Sequence, residues 1–242
     1  MSEGGLSRSQ KACLNAMDIP VWVRRDLPVQ YPPEQPGVAG PDPESSAAGE
    51  SPVGDWGTLE QQVSGCTLCA LHAGRTRTVF GVGNRAADWM VIGEGPGREE
   101  DRQGEPFVGR AGKLLDAMLL AAGQPREQVY IANIVKCRPP DNRDPKPEEA
   151  QACSGYLAQQ IEWVNPKIIL AVGRVAAQNL LHTDAPVGRM RGRVHSMPGT
   201  GIPVVVTYHP AYLLRSPQQK PKAWQDLVMA RRVAHGADGG TA

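Results

Sequence analysis

Four short apolar runs rich in β-branched residues punctuate the chain: "DWMVIG" (88–93), "VYIANIV" (129–135), "KIILAVG" (167–173) and "IPVVVTYH" (202–209). They are continuously apolar rather than alternating, as strands covered on both faces are. Stretches of helical period lie between them at 111–122, 147–164 and 174–181, and another follows at 221–233. Pro147 suits the first turn of a helix and Gly123 the end of one. The alternation predicts an α/β fold in three layers, a central four-stranded parallel sheet with helices on both faces. In such sheets the working crevice lies at the carboxyl ends of the strands. That nominates the loop after Ile92, the segment after Ile131, the turn at Gly173 and "YHPAYLLRSP" after Thr207.

The first 54 residues follow no such pattern. Residues 28–54, "PVQYPPEQPGVAGPDPESSAAGESPVG", hold seven prolines and four acids with no Lys or Arg, the composition of a disordered linker. Ahead of it, residues 1–27 carry "SQKACLNAMDIPVWVRRD", whose Leu14, Met17, Ile19, Val21, Trp22 and Val23 are too few to form a core alone. A tethered amphipathic segment of this kind is either a partner-docking peptide or an expendable terminus. The globular domain is expected over 55–233, with 234–242 as a disordered tail.

Length and charge narrow the class. A chain of 242 residues suffices for one α/β domain with appendages. Its net charge of +1 names no partner, but between Arg174 and Arg232 nine Lys/Arg face only Asp184 and Asp226. That local excess fits a polyanion-binding face or a solvated surface. The chain contains no run of 18 apolar residues and no signal-peptide core, so a soluble cytoplasmic protein without membrane contact is expected. Its cysteines are then reduced or metal-bound.

Residues 93–112, "GEGPGREEDRQGEPFVGRAG", join the first strand to the first helix with six glycines and dense charge. They contain no G-x-G-x-x-G, and Leu114 follows Lys113 where a P-loop needs Ser or Thr, so neither nucleotide fingerprint applies. Four of the five cysteines form two sets, Cys66-x2-Cys69 and then Cys137 and Cys153 with fifteen residues between them. Two such pairs suit tetrahedral zinc or an iron–sulfur cluster, and ligand type alone does not choose.

Taken with "PFVGRAG", "YIANIVKCRPPDNRDP" and "HPAYLL", these motifs resemble the family 4 uracil-DNA glycosylases, the iron–sulfur branch of the uracil-DNA glycosylase superfamily, over about residues 56–230. The resemblance implies a parallel-sheet α/β fold, a [4Fe-4S] cluster on Cys66, Cys69, Cys137 and Cys153, and removal of uracil from single- and double-stranded DNA. Such an enzyme flips the nucleotide out of the stack into a pocket beside the backbone. Gly95 and Gly97 then let the main chain approach the flipped sugar and its phosphates. Phe107 supplies a flat face for the base, and the amide of Asn133 pairs with uracil N3–H and O4 while rejecting the reversed pattern of cytosine. Glu100 walls off the space a thymine methyl would need. His209 stabilises the charge that grows on uracil O2 as the bond breaks.

Another branch of the superfamily carries Asp where this chain has Gly95, so Glu94 or Asn142 is the candidate for positioning water. "KCRPPDNRDP" replaces the histidine-bearing insert of relatives that become trapped on DNA, so turnover is expected. Leu213, Leu214, Arg215 and Ser216 are expected to fill the gap in the duplex and to meet phosphates. The segment "QKACLNAMDIPVWVRRD" resembles the N-terminus of the psi subunit of the bacterial clamp loader. This gives a second reading, a catalytically weak accessory protein docked on the clamp loader or another replication protein. The first reading is a monomeric, nucleoid-associated repair enzyme.

Overall fold

The computed structural model describes residues 7–17 and 55–236. Its strands, in chain order, are β1 (Val82–Gly83), β2 (Trp89–Gly93), β3 (Tyr130–Asn133), β4 (Ile168–Val172), β5 (Val194–Ser196) and β6 (Pro203–Thr207). Its α-helices are α1 (Arg8–Ala16), α2 (Trp56–Ser64), α3 (Arg98–Gln103), α4 (Arg110–Ala121), α5 (Pro147–Val164), α6 (Arg174–Leu181), α7 (Val187–Met190), α8 (Pro210–Arg215) and α9 (Lys220–Ala234). Among the described residues none of them is long and apolar enough to cross a membrane.

The strands form one sheet in the order β1-β3-β2-β4-β6-β5. Its four central strands are parallel and are the four apolar runs. The expected count of four is corrected to six by β1 and β5, which pair antiparallel at the two edges. These are two and three residues long with partly exposed side chains, so no apolar run announces them.

The pleat of the sheet divides the core in two. Met90, Ile92, Ala132, Ile169, Ala171, Val204 and Val206 point to the layer containing α5, α6 and α7, where Leu157, Ile161, Ala176, Leu180 and Met190 cover them. Trp89, Val91, Ile131, Ile168, Leu170, Val172 and Val205 face Leu115, Met118, Leu119, Leu213 and Leu227 of α4, α8 and α9. Burying both faces is what the unbroken hydrophobicity of these strands requires. The connection leaving β2 turns back through α4 to β3, whereas the one leaving β4 runs outward through α6 toward β6. A crevice therefore opens beyond the carboxyl ends of β2 and β4, where the connections diverge.

Helix α1 lies against α4, and Leu14 and Met17 are each 2% exposed in the same core as Leu115 and Met118. The few apolar residues that cannot build a core alone complete one supplied by α4. Ile19, Val21, Trp22 and Val23, the linker 28–54 and residues 237–242 lie outside the described residues. At the other end the domain continues past 233, because α9 runs to Ala234.

Candidate active site

The crevice holds a recess of about 480 Å³ bordered by Glu94, Gly95, Gly97, Glu100, Phe107, Asn133, Asn142, His209 and Arg215. These come from five separate stretches of chain. Asn133 ends β3 opposite Gly93, and the two strands stay hydrogen-bonded beyond their ends, Ile134 N to Gly93 O at 3.0 Å and Val135 N to Glu94 O at 3.2 Å. Asn133 is 2% exposed, and its Oδ1 has no hydrogen-bond partner. A Cβ on Gly93 would stand 2.5 Å from that Oδ1 and 2.6 Å from Cζ of Phe107, so glycine is what lets both side chains close over this point.

Phe107 is held by its backbone. It adopts a left-handed φ of 54°, a conformation that costs a non-glycine residue energy unless its surroundings fix it. Glu100 and Arg126 fix it. One carboxylate oxygen of Glu100 accepts from the amides of Val108 and Gly109 at 3.0 and 3.1 Å, and the other from Gly97 at 3.1 Å. Arg126, paired with Asp116 at 2.9 Å, donates to the carbonyls of Pro106 and Phe107. Gly112 is equally necessary, since a Cβ there would lie 1.8 Å from the Phe107 carbonyl oxygen. Glu100 thus braces the glycine loop against the Phe107 loop while its flank borders the recess.

His209 caps α8 from the end of β6, and its ring lies 5.7 Å from that of Phe107 at an angle of 32°. Its Nδ1 accepts from the amide of Ala211 at 3.2 Å. The neutral ring therefore carries its proton on Nε2. Burial, with help from the Arg215 cation, lowers the His209 pKa to about 4.

Glu94 shows the opposite shift. Burial first, and then the neighbouring Asp144 carboxylate, push it up to about 7, with Arg174 opposing. Asp144 itself is paired with Arg174. Asn142, by contrast, is exposed and its Oδ1 accepts from Arg138 Nε at 2.8 Å. Arg143 grips both oxygens of the buried Glu149 at 2.7 and 2.8 Å, fastening this loop to the start of α5.

Cys66, Cys69, Cys137 and Cys153 line a second recess, between the turn after α2, the segment after β3 and α5. All are free thiols, the last two buried. Arg75 donates to Cys137 Sγ at 3.2 Å and the Lys136 amide to Cys153 Sγ at 3.3 Å. Burial raises the Cys153 thiol to about 11 and also raises Cys137. Such thiols ionise readily only where a metal takes the proton's place. Among the described residues no three His, Cys, Asp or Glu side chains are set to hold a single metal ion. Four sulfurs bordering one recess are a soft donor set of the type that takes zinc or an iron–sulfur cluster.

The model of the uracil DNA glycosylase superfamily matches residues 80–228. The chain belongs to this superfamily. It is 45% identical over 175 residues to the type-4 uracil-DNA glycosylase of Archaeoglobus fulgidus, covering 70% of this chain and 88% of that one. The type-4 uracil-DNA glycosylase of Thermotoga maritima is 46% identical over 159 residues, 65% of this chain and 82% of its own. A type-5 uracil-DNA glycosylase of Pyrobaculum aerophilum is 30% identical over 146 residues, 54% of this chain and 64% of that one.

Of the residues expected to contact DNA, Leu213 is 1% exposed and packs into the core beneath α8. Leu214, 39% exposed, and Tyr212, 36% exposed, stand on the outer face of the same turn, with Arg215 beside them and Ser216 half-buried. Sequence reasoning also missed Tyr212, Arg143 and Asp144 at the recess border. The second acid of "DNRDP", four residues before Glu148, was visible but carried no signal that it would turn toward Glu94.

Proposed function

We propose that the chain is a monofunctional DNA glycosylase that hydrolyses the N-glycosidic bond of deoxyuridine in DNA, releasing uracil and leaving an abasic site. The observation that carries the proposal is the buried, unpartnered Oδ1 of Asn133, on a residue that borders the same recess as Phe107 and His209. A buried acceptor without a donor is costly. Uracil N3–H supplies that donor, whereas cytosine offers an acceptor at the same position. The identity to type-4 uracil-DNA glycosylases supports the same substrate.

In the reaction the flipped base stacks on Phe107, and Gly95 and Gly97 admit the sugar and its phosphates. His209, neutral and protonated on Nε2, donates to uracil O2 as negative charge develops there, without first needing a proton from solvent. Glu94, once ionised, accepts a proton from the attacking water, and Asn142 serves only to shape its loop. Tyr212, Leu214, Arg215 and Ser216 meet the duplex, the apolar pair at the gap and the others at phosphates.

Cys66, Cys69, Cys137 and Cys153 hold a [4Fe-4S] cluster, which supplies a structural clamp between the turn after α2, the "KCRPPDNRDP" loop and α5. The second reading, an accessory protein with a weakened site, is not favoured: the motif residues converge on one recess, and Leu14 and Met17 are spent on the core. Incubation with uracil-containing single- and double-stranded oligonucleotides, followed by alkali, tests the proposal. Strand breaks at uracil are expected, and intact strands at stoichiometric protein would refute it.

A further inference from the structure

Lys136 joins the two recesses. Its side chain is 1% exposed, in a core where a lysine needs a reason to be. Nζ donates to the backbone carbonyl of Asn133 at 3.2 Å and to Oε1 of Gln160 at 2.6 Å. Gln160, fully buried, is itself anchored by donating to the Phe80 carbonyl at 3.0 Å and the Tyr130 hydroxyl at 3.1 Å. In the other direction, the amide of Lys136 donates to Sγ of Cys153 and the residue borders the cysteine recess.

Both partners of Nζ are neutral acceptors. A buried ammonium satisfied only by neutral oxygens still lacks its counter-charge, and an apolar side chain of the same length would serve packing better. The adjoining recess is where the anion belongs, because four thiolates around an iron–sulfur cluster carry net negative charge. The same Nζ fixes the carbonyl of the residue whose amide reads the base.

We propose that Lys136 is a positioning residue that couples the cysteine-bound cluster to uracil recognition, its ammonium serving as buried counter-charge to the cluster while holding Asn133 in place. This rests on the reading of the chain as a cluster-bearing uracil-DNA glycosylase. With the cluster bound, the ammonium is compensated and Asn133 is gripped by a charge-assisted hydrogen bond. Without the lysine charge the cluster loses a partner and Asn133 loses its brace together.

The test uses full-length protein purified anaerobically, with iron release to a chelator and inhibition by free uracil as the two readouts. Lys136→Met is expected to release iron roughly tenfold faster than wild type, the usual scale for loss of an outer-shell partner, and to be inhibited by uracil roughly tenfold more weakly. Lys136→Arg, which keeps the charge, is expected to restore slow iron release. A folded Lys136→Met with both readouts at wild-type values overturns the proposal, as does faster iron release with unchanged uracil inhibition. If Lys136→Met does not fold, Gln160→Glu carries the test by giving Nζ a carboxylate of its own: faster iron release supports the proposal and wild-type release overturns it. Wild-type protein lacking iron, or unable to cut at uracil, would instead bring down the parent reading.

Discussion

The backbone amide of Ala211 donates to Nδ1 of His209 at 3.2 Å, which pins the ring at the mouth of α8 beside the recess and puts the proton of the neutral ring on Nε2. His209→Ala is therefore expected to slow uracil excision by roughly 10² or more, the scale of losing one oxyanion donor. Affinity for undamaged DNA should stay the same. Single-turnover rates beside binding isotherms separate the two, and equal losses in both would reduce His209 to a structural role.

The same burial makes a pH prediction. With its pKa lowered from 6.5 to about 4, His209 is neutral in the fold at pH values where the unfolded chain already binds a proton. Its contribution to stability is complete above 6.5 and is lost as pH falls toward 4. Denaturant unfolding of wild type and His209→Ala across that window should show a smaller acid loss in the variant.

Glu94 titrates the other way round. Its carboxyl is raised from 4.5 to about 7, so its share of stability is present below 4.5 and fades as pH rises through 7, while its capacity to accept a proton grows. The excision rate should climb through about 7, and Glu94→Gln should be slow and lack this rise. Asp144→Asn, which removes the neighbouring carboxylate, should move the inflection to lower pH. A wild-type profile flat across neutrality would exclude Glu94 as the base.

Asn133→Ala separates stability from function. Since Oδ1 has no partner, the substitution should leave the melting temperature near wild type yet slow excision by roughly 10². A large fall in melting temperature would mean that the amide holds the fold.

Gly112→Ala tests the seat of Phe107. The added Cβ would lie 1.8 Å from a backbone oxygen that cannot swing aside, so the Phe107 loop must shift. A loss of about 1–3 kcal/mol in stability is expected, with uracil excision impaired far more than DNA binding.

Leu14→Ala probes helix α1. Truncating a side chain 2% exposed within the α4 core should cost about 2–5 kcal/mol. A tethered docking peptide would show no change in the unfolding midpoint.

The central sheet was legible in the sequence, because strands buried on both faces must be apolar throughout, as runs such as "KIILAVG" are. The sequence also placed His209 at a strand end, since His209 closes an apolar run, whereas Asn133 lies within "VYIANIV" and the structure is what ends β3 there. What each side chain faces came from packing between elements distant in the chain. One turn of α8 turns Leu213 into the core and Leu214 to solvent, a choice made by α4 packing beneath it. Glu94 meets Asp144 across fifty residues of chain, and Lys136 meets Gln160 across twenty-four. The edge strands, helix α1 and the buried lysine escaped the sequence for one reason. Their stability comes from partners distant in the chain, and local pattern records a residue's own preference for burial but not the neighbour that provides it.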